Sequence, residues 1–541
     1  MCVSASAHMA NRKWLVSSDE CVAARGNRLL LTNHSSLQGG AMASRREATL
    51  VLTIDAGGSS VKATVLCTRM WRVLACARSE YRALYLAPHH AEFDTDQWWA
   101  VIQETCAAAV AQAAAPPDSY LAITCTAMRS SFVLLDGAGN PLAPGVLNLD
   151  GRGTPYLAEI RDALGADALY MLTGHWPAAP LGLGKLLWFK DCRPELWSRI
   201  RHIMQMHDWM LYRLCGEMTS EPSSASMGQL LDVAQRCWAT GLLDVLGIDP
   251  ALFPPLRDGG AYLGGLEPEV AQAIGLPAGM PVHVGGGDTH VCCLGVDAVG
   301  DGDVVIVGGS TTPIQFTAST PLCDTQHRPW VSAHLWPNRW AIEMNAGITG
   351  LTYTWLRDLC FSVQPAAAPS YERLDALAAQ APLGAHGLLV TAANPYWRED
   401  IWNRMPPATL FALTPHHGLD DVARATMEST CYAVRSNLEG LEAVHGAPFT
   451  AVTFTGGAAQ SPLWAQMLAD VLGAPIRVVE VPEASAIGGG RLVLKNHPHD
   501  WGGPLPARHY QPDAVRHADY QPYYDRYRTI FRRLLETFGE G

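Results

Sequence analysis

The sequence predicts an α/β protein built from two similar halves. A β-rich run that ends in two glycines and small hydroxyl residues occurs at 50–66, "LVLTIDAGGSSVKATVL", and again at 303–318, "DVVIVGGSTTPIQFTA". A second strand-like run follows the glycines in both. Two further glycine turns, in "MPVHVGGGDTHVCCLG" (280–295) and "AVTFTGGAAQSPLWAQMLADVLG" (451–473), lie between a predicted strand and a predicted helix. Strands that alternate with helices favour a sheet with helices packed against it.

The elements after the first turn are predicted from their composition and spacing. Val61–Cys67 and Arg72–Tyr81 are rich in β-branched and aromatic residues, which is typical of strands. Apolar residues then recur at helical spacing in "DTDQWWAVIQETCAAAVAQAAA" (94–115), and Asp94 or Thr95 is the expected N-terminal cap.

Composition limits the class of protein. The 541 residues carry a net charge of −12, which argues against a nucleic-acid or anionic-membrane binder. No apolar stretch approaches the ~18 residues of a membrane span. The 14 cysteines are scattered without metal-ligand spacing, so reduced thiols in a cytoplasmic protein are expected.

The N-terminal segment differs from the rest of the chain. Residues 1–48 show no periodicity, and the apolar run Leu29–Leu31 is too short for a secretory signal. We expect a disordered extension, or a start codon assigned too early with Met42 as the true beginning. An organelle-targeting role is the alternative.

The four glycine turns suggest a binding site for phosphates. A strand followed by Gly-Gly is, taken alone, an ordinary tight turn. Glycine-rich turns also let backbone N–H groups converge on phosphate oxygens, and helix N-termini add a favourable dipole. Hairpin turns from two similar halves would hold a polyphosphate from both sides. Of the two hairpin turns, only the first has a carboxylate at the end of its leading strand, Asp55, which would hold the metal that neutralises the phosphates.

These motifs together resemble the FGGY family of carbohydrate kinases. The four glycine turns above match in order and spacing, as do two further segments. The two segments resemble the family's signatures and are "GKLLWFKDCRPELW" (184–197) and "FALTPHHGLDDVARATMESTCYAV" (411–434). The resemblance covers about 50–488. It implies an α/β fold of two ribonuclease-H-like domains, of the actin, hexokinase and Hsp70 ATPase type, around a deep cleft.

The resemblance also implies domain bounds and a nucleotide site. The N-terminal kinase domain would span 49–299, and the C-terminal one 300–541, with a helical tail at its end. The cofactors would be ATP and Mg²⁺, with Asp55 as the metal residue. The residues implied for ATP have small side chains or none, and they are Gly57, Gly58, Ser59 and Ser60 in the first phosphate turn, Gly309, Ser310 and Thr311 in the second, and Gly350, Gly457, Ala458 and Ser461 around adenosine.

The base and the acceptor site are placed by the same resemblance. Asp288 is the implied general base, and a plain helix cap is its alternative role. The residues implied for the acceptor come from "CTAMRSSFVLLD" and "GVLNLDGRG", and they are Met128, Arg129, Asn148, Asp150 and Arg152. Asp150 and Arg152 could instead form a structural ion pair.

The residues around the acceptor indicate a branch of the family. Pentulose kinases have Met-His-Gly and Trp-x-Asp-x-Arg where this chain has Met-Arg-Ser and Asn-Leu-Asp-Gly-Arg. The latter pairing resembles the autoinducer-2 kinases, which phosphorylate open-chain dihydroxy-pentanedione. A pentulose or polyol kinase, such as a xylulose kinase, and a catalytically silent sugar-binding regulatory relative are the alternatives. We expect a small sugar-like partner, no nucleic acid and no membrane, and a homodimer stays open.

One segment departs from the family pattern. Three consecutive glycines, Gly488–Gly490, stand where the family has a helix of small residues beside adenosine, and each disfavours helix by ~1 kcal/mol relative to Ala. Arg491 and Lys495 follow where an apolar face is expected. We therefore expect a locally loose segment and weakened adenosine affinity.

Overall fold

The computed structural model describes residues 48–87, 89–361, 370–402, 405–481, 483–496, 501 and 505–538. The extension or early start expected over 1–48 lies, apart from Ala48, outside the described residues. Thr49–Gly541 form one compact unit. Among the helices of the described ranges, none combines the length and apolar character needed to cross a bilayer.

Within the described residues, the strands form two large sheets and three smaller ones. They are β1 Leu50–Ala56, β2 Ser60–Cys67, β3 Arg72–Glu80, β4 Leu84–Ala87, β5 His90–Phe93, β6 Tyr120–Ala127, β7 Phe132–Leu135, β8 Gly145–Val146, β9 His202–Gln205, β10 Leu231–Asp232, β11 Cys237–Trp238, β12 Tyr262–Gly265, β13 Pro281–Gly287, β14 Val304–Gly308, β15 Pro313–Ala318, β16 Trp330–Ala333, β17 Trp340–Asn345, β18 Leu389–Val390, β19 Leu410–Phe411, β20 Val452–Gly456, β21 Ile476–Val479 and β22 Ala507–Tyr510.

The α-helices lie between these strands and at the C-terminal end. They are α1 Thr95–Ala113, α2 Leu157–Leu164, α3 Ala166–Thr173, α4 Gly182–Cys192, α5 Pro194–Trp197, α6 Met206–Cys215, α7 Pro222–Ser226, α8 Thr240–Val245, α9 Pro268–Ile274, α10 Asp288–Gly295, α11 Thr349–Phe361, α12 Tyr371–Ala378, α13 Glu399–Trp402, α14 Leu419–His445, α15 Pro462–Leu472, α16 Ala484–Val493 and α17 Ala514–Phe538.

The first large sheet has the strand order β12-β13-β6-β1-β2-β3. Its three middle strands, β13, β6 and β1, are parallel, whereas β2 and β3 return antiparallel as a meander. The strands predicted after the first glycine turn are therefore confirmed. Helix α1 packs on this sheet through Trp98, Trp99 and Ile102, and Asp94 caps it by accepting hydrogen bonds from the backbone N–H groups of its first turn.

The second large sheet has the order β16-β17-β15-β14-β20-β21-β22. Its middle strands β14, β20 and β21 are parallel, and β15 returns antiparallel from β14. This repeats the pattern of the first sheet, as the paired strand–glycine–strand motifs predict. The long helix α14 packs on this sheet, and tyrosines of α17 pack in turn on α14. The predicted α/β architecture of two ribonuclease-H-like domains is confirmed.

The expectation of a loose segment after Gly488 is wrong for the described residues. Helix α16 runs through all three glycines, which are buried. A Cβ atom on Gly488 would lie 1.9 Å from the carbonyl oxygen of Val291, and one on Gly489 would lie 2.5 Å from Thr53 Oγ1. The glycines thus let α16 approach α10 and the first sheet closely, and this packing outweighs their low helix propensity. Residues 497–500 and 502–504 of the segment lie outside the described residues.

Arg491 makes specific contacts in the fold that its sequence position did not predict. Its guanidinium donates to the carbonyl oxygen of Leu294 at the end of α10 and lies 3.4 Å from Asp297 Oδ1. The ring of Trp501 lies 5.2 Å from its guanidinium carbon. The buried cation therefore lies at a helix C-terminus, where positive charge is favourable.

Candidate active site

The candidate site lies at the carboxyl ends of the parallel strands β13, β6 and β1. Asp55 is near the end of β1, Met128 and Arg129 directly follow β6, and Asp288 directly follows β13. Two hydrogen bonds join the three strand ends. Met128 N–H donates to the carbonyl oxygen of Ala56 at a distance of 2.9 Å, and the Thr126 hydroxyl donates to the carbonyl oxygen of Gly286 at 2.8 Å. Parallel strands place their carboxyl ends at one edge of the sheet, where α/β folds bind ligands.

The surroundings of Asp55 disfavour its ionised form. Burial, followed by repulsion from Asp288, raises the pKa of Asp55 to about 6. The Ser485 hydroxyl of α16 donates to Asp55 Oδ2 over 2.8 Å, which favours the ionised form. The neighbouring Lys62 amine is engaged with Glu483 Oε2, also at 2.8 Å.

The environment of Asp55 fits a magnesium ion. A cation between Asp55 and Asp288 would offset their repulsion. The described residues contain no cluster of three or more His, Cys, Asp or Glu that would form a complete protein cage. Mg²⁺ is commonly held by one or two carboxylates, with water and substrate phosphates completing the shell. The single carboxylate at the end of β1 matches that donor set.

Asp288 is the first residue of α10, and Gly287 occupies the cap position. Among the described residues, the hydrogen bonds to its Oδ1 come only from the next residue, from Thr289 N at 2.7 Å and Thr289 Oγ1 at 3.3 Å. A capping carboxylate normally bonds N–H groups two or three residues further on. Burial raises the pKa of Asp288, and Arg129 partly offsets this. These contacts favour a free carboxylate over the cap role.

The residues predicted for ATP form two groups. The first turn closes on itself, with Gly57 N–H donating to Ser60 O over 3.0 Å, and Gly58 and Ser59 are exposed. The second turn meets two predicted adenosine residues. A Cβ on Gly350 would lie 1.9 Å from Gly309 O, and one on Gly308 would lie 2.7 Å from the Ala458 Cβ.

The remaining residues predicted around ATP lie at the edge of the second group. Ser310 and Gly309 are exposed, and Thr311 is half-buried. Gly457 follows β20 directly, whose last residue Gly456 is paired in register with Gly308 of β14. Ser461 caps α15 through a 3.2 Å bond from Trp464 N–H. The carboxyl ends of β14 and β20 thus bring these residues together.

The residues predicted for the acceptor have two kinds of environment. Met128 is buried, and Arg129 donates through Nη1 to Glu343 Oε2 at 2.9 Å and through Nη2 to Glu343 Oε1 at 3.1 Å. Asn148 is half-buried in the loop after β8, where its N–H donates to Ser131 Oγ. The loop therefore reaches the segment that carries Arg129.

Asp150 and Arg152 form the ion pair that the sequence left open. Arg152 donates to both oxygens of Asp150 over 2.8 Å and to Glu92 Oε1 over 2.5 Å, with both members of the pair almost completely buried. Asp150 Oδ2 also accepts from Ala91 N–H. These contacts assign the pair to shaping the loop, and a contact with the acceptor stays a prediction.

Lys185 is a buried residue that sequence reasoning missed. Its ammonium donates to four backbone carbonyls, those of Leu147 and Pro180 at 2.9 Å, Asn148 at 3.2 Å and Ser130 at 3.3 Å. Burial lowers its pKa to about 7. The lysine ties together the two segments predicted for the acceptor. A lone lysine within the apolar run "GLGKLLWF" was the available signal.

A second group missed from the sequence consists of buried polar side chains beside the Asp288 turn. Gly287 N–H donates to Ser223 Oγ over 3.3 Å, and a Cβ on Gly286 would lie 3.1 Å from Glu221 Oε2. The rings of His290 and His334 are 6.2 Å apart. Glu221 Oε1, both nitrogens of His290 and Nε2 of His334 have no hydrogen-bond partner among the described residues. Buried polar groups normally find one, so water or a ligand is expected there.

The buried histidines predict acid sensitivity. Burial lowers the pKa of His175 to about 4 and that of His334 to about 3. The unfolded chain binds protons near pH 6.5 and the folded chain does not, so stability is lost as pH falls from 6.5 towards 4, at ~1.4 kcal/mol per pH unit for each histidine. In His334→Asn, the free energy of unfolding in urea should depend less steeply on pH, because an amide does not titrate. The fold should be kept, since the amide oxygen can still accept from Trp336 N–H. His416→Asn, on the surface, is the control, and an equal slope in both would contradict the prediction.

Comparisons with known proteins identify the family of the chain. The model of the FGGY family of carbohydrate kinases, N-terminal domain, matches residues 50–295, and that of the C-terminal domain matches residues 299–492. An autoinducer-2 kinase of Yersinia enterocolitica is 28% identical over 509 residues, covering 91% of this chain and 96% of that protein. One of Escherichia coli is 27% identical over 510 residues with the same coverage.

Solved structures show the same fold. The xylulose kinase of Rhodospirillum rubrum matches with a TM-score of 0.77 at 26% identity, covering 91% of this chain and 100% of that one. The gluconate kinase of Lactobacillus acidophilus matches with a TM-score of 0.80 at 19% identity, covering 91% and 99%. The chain therefore belongs to the FGGY family of carbohydrate kinases, phosphotransferases that act on sugar hydroxyl groups.

Proposed function

We propose that this kinase transfers the γ-phosphoryl group of ATP to a terminal hydroxyl of autoinducer-2, the open-chain dihydroxy-pentanedione, during quorum-signal uptake in the cytoplasm. The observation that carries the proposal is the convergence of Asp55, Arg129 and Asp288 at one edge of the first sheet. The curated relatives named above, which are autoinducer-2 kinases, support the choice of acceptor.

Asp288 would act as the general base. Its carboxylate accepts the proton of the acceptor hydroxyl while that oxygen attacks the γ-phosphorus. The bond between phosphorus and the β–γ bridging oxygen breaks, and ADP leaves with the electron pair. General-base help contributes ~10²–10⁴-fold, and the rest of the rate comes from positioning and charge neutralisation.

The two glycine turns and Asp55 would hold the nucleotide. In the turns at 57–60 and 309–311, the backbone N–H groups of the exposed residues Gly58, Ser59 and Ser310 are suited to phosphate oxygens. Asp55 would hold Mg²⁺, which supplies charge neutralisation when bound. Gly350, Gly457, Ala458 and Ser461 would leave room for adenosine against the backbone at the ends of β14 and β20.

The acceptor preference would come from Arg129 and Asn148. A pentulose kinase has His and Trp at these places, whereas Arg and Asn add donors suited to adjacent carbonyl oxygens or their hydrates. Arg129 donates two of its five N–H groups to Glu343, and the others would be able to donate to a ligand. A site built around particular oxygens can reject analogues that lack them by ~10⁴–10⁵-fold.

A pentulose or polyol kinase is the second candidate. The structural match to the Rhodospirillum rubrum xylulose kinase, with 26% identity and a TM-score of 0.77, favours it. A catalytically silent relative is the third, and the presence of both Asp55 and Asp288 argues against it.

A panel of acceptors distinguishes these candidates. With ATP and Mg²⁺, we expect dihydroxy-pentanedione to give a higher kcat/KM for ADP release than xylulose, ribulose, glycerol or erythritol. Arg129→His should lower kcat/KM for the diketone more than for xylulose, because an imidazole has fewer N–H donors than a guanidinium that still has N–H groups beyond those bound to Glu343. A highest value with xylulose or glycerol would overturn the choice of acceptor. No ADP release with any of them would favour the silent relative.

A further inference from the structure

An ion pair joins the two family domains next to the proposed base. Arg129 belongs to the part of the chain matched by the N-terminal family model and Glu343 to the part matched by the C-terminal one. The guanidinium makes a forked contact with the carboxylate, through Nη1 at 2.9 Å and Nη2 at 3.1 Å. Such two-point contacts fix orientation as well as distance.

Glu343 is an unusual residue for its position. It lies inside β17, "WAIEMN", all of whose residues are buried, and it is paired in register with Gln315 and Trp330. A lone carboxylate in such a place is strongly unfavourable, and a well-oriented partner offsets that. Arg129 is that partner, supplied from the other sheet.

The Nε side of the Arg129 guanidinium faces Asp288, the proposed base. Arg129 Nε lies 3.9 Å from Asp288 Oδ1, which is beyond hydrogen-bond distance. A Cβ on Gly287 would lie 2.9 Å from Arg129 Cγ, so the arginine stem lies against the turn that carries Asp288. The cation is therefore close to Asp288 while its two outer N–H groups are bound elsewhere.

We propose that Glu343 is a positioning residue for phosphoryl transfer, which holds the Arg129 guanidinium beside Asp288 and prevents it from forming a hydrogen-bonded ion pair that would occupy the base. This inference rests on the proposed function. A carboxylate bound bidentately by arginine is a poor proton acceptor, whereas one with a nearby but separate cation stays free to accept. Glu343 thus sets the reactivity of a carboxylate that it does not touch.

The charges around Asp288 agree with such a balance. Burial raises the pKa of Asp288, Arg129 lowers it, and Glu343 raises it. Other charged or titratable groups near Asp288 and Arg129 are Asp55 on β1, Lys62 on β2, His175 after α3, and His290, Cys292 and Cys293 on α10 itself. Burial holds the pKa of His290 and that of His175 below the usual value for histidine. Arg491 contacts the opposite end of α10 and does not face Asp288.

The test begins with Glu343→Gln. The amide offers one acceptor and turns its NH₂ towards the arginine, so Arg129 is released to pair with Asp288. With dihydroxy-pentanedione and, separately, xylulose as probes, we expect kcat to fall by ~10-fold or more while KM for the acceptor changes by less than ~3-fold. Glu343→Asp, which keeps the charge with a shorter reach, should retain part of kcat.

The decisive variant adds Arg129→Gln to Glu343→Gln. It removes the cation that would occupy the base and leaves no unpaired buried charge. We expect kcat at saturating acceptor to be higher in the double variant than in Glu343→Gln, although KM rises through loss of the Arg129 donors. A merely structural ion pair also regains stability when both partners are replaced, so urea unfolding of both variants is measured beside kcat. A higher kcat under conditions where the single variant is fully folded supports the positioning role, and a gain that only follows the folded fraction overturns it.

Glu428→Gln is the matched control. Glu428 is also buried and accepts from an arginine, with Arg424 Nε at 2.8 Å, but this pair lies within α14. The control should lose stability in urea yet keep the kcat of the parent. An unchanged kcat in Glu343→Gln, or equally low kcat in the single and double variants, would overturn the inference. A parent that releases no ADP with either probe would overturn the proposed function and the inference together.

Discussion

Asp288→Asn is expected to lower kcat by at least ~10²-fold while nucleotide binding stays intact. The amide has the size of the carboxylate and can still accept from Thr289 N–H, so α10 should begin as before. It cannot take the proton of the acceptor hydroxyl. The loss should therefore appear in kcat for the acceptor reaction, measured by ADP release at saturating ATP.

Asp94→Asn is the matched control for this change. Asp94 is an exposed helix cap whose Oδ1 accepts from Asp96 and Gln97 N–H. Asn caps helices about as well as Asp, so kcat should equal that of the parent. Calorimetric titration with a non-hydrolysable ATP analogue should give similar affinities for the parent and both variants. Normal turnover of Asp288→Asn would remove Asp288 from the role of base.

Local patterns were enough to predict the strands and turns around the site. The runs at 50–66 and 303–318 each form two antiparallel strands joined by a glycine turn. The sequence at 280–295 forms a strand and then a helix that begins at Asp288. These elements follow from residues close together in the chain, because β-branched runs and glycines act within a few positions.

The contacts that tune the site depend on distant parts of the chain. Arg129 and Glu343 are 214 positions apart, and Ser485 lies 430 positions from Asp55. No local rule links residues so far apart in the chain. Arg129 was therefore predicted to bind the acceptor, whereas its ion pair with Glu343 was not predicted. Glu343 itself gave a faint signal, as a single acid within a strand of buried residues.

The glycines of α16 show why propensity gave the wrong expectation there. Intrinsic propensity describes an isolated helix, in which each glycine is ~1 kcal/mol worse than Ala. In the folded chain the backbone of α16 lies against Val291 and Thr53, where a side chain has no room. Tertiary packing therefore decides the residue type, and it does so through neighbours that lie far away in sequence.

Gly488→Ala is accordingly expected to destabilise the protein although it improves helix propensity. The added Cβ would lie 1.9 Å from Val291 O, a backbone atom that cannot rotate away. Overpacking costs ~1–3 kcal/mol and sometimes more, and a backbone clash belongs at the upper end. We expect the apparent unfolding free energy in urea to fall by about 3 kcal/mol. Because α10 begins with Asp288 and α16 carries Ser485, which bonds Asp55, kcat should fall as well.

Gly241→Ala separates the clash from the propensity of glycine. Gly241 lies in α8, and a Cβ there would meet no atom within 4 Å. This control should be neutral or more stable by up to ~1 kcal/mol, with unchanged turnover. Equal urea midpoints for the two variants would mean that α16 and α10 are not packed backbone to backbone. A lower midpoint and lower kcat for Gly488→Ala alone would mean that this contact holds the two carboxylates of the site in place.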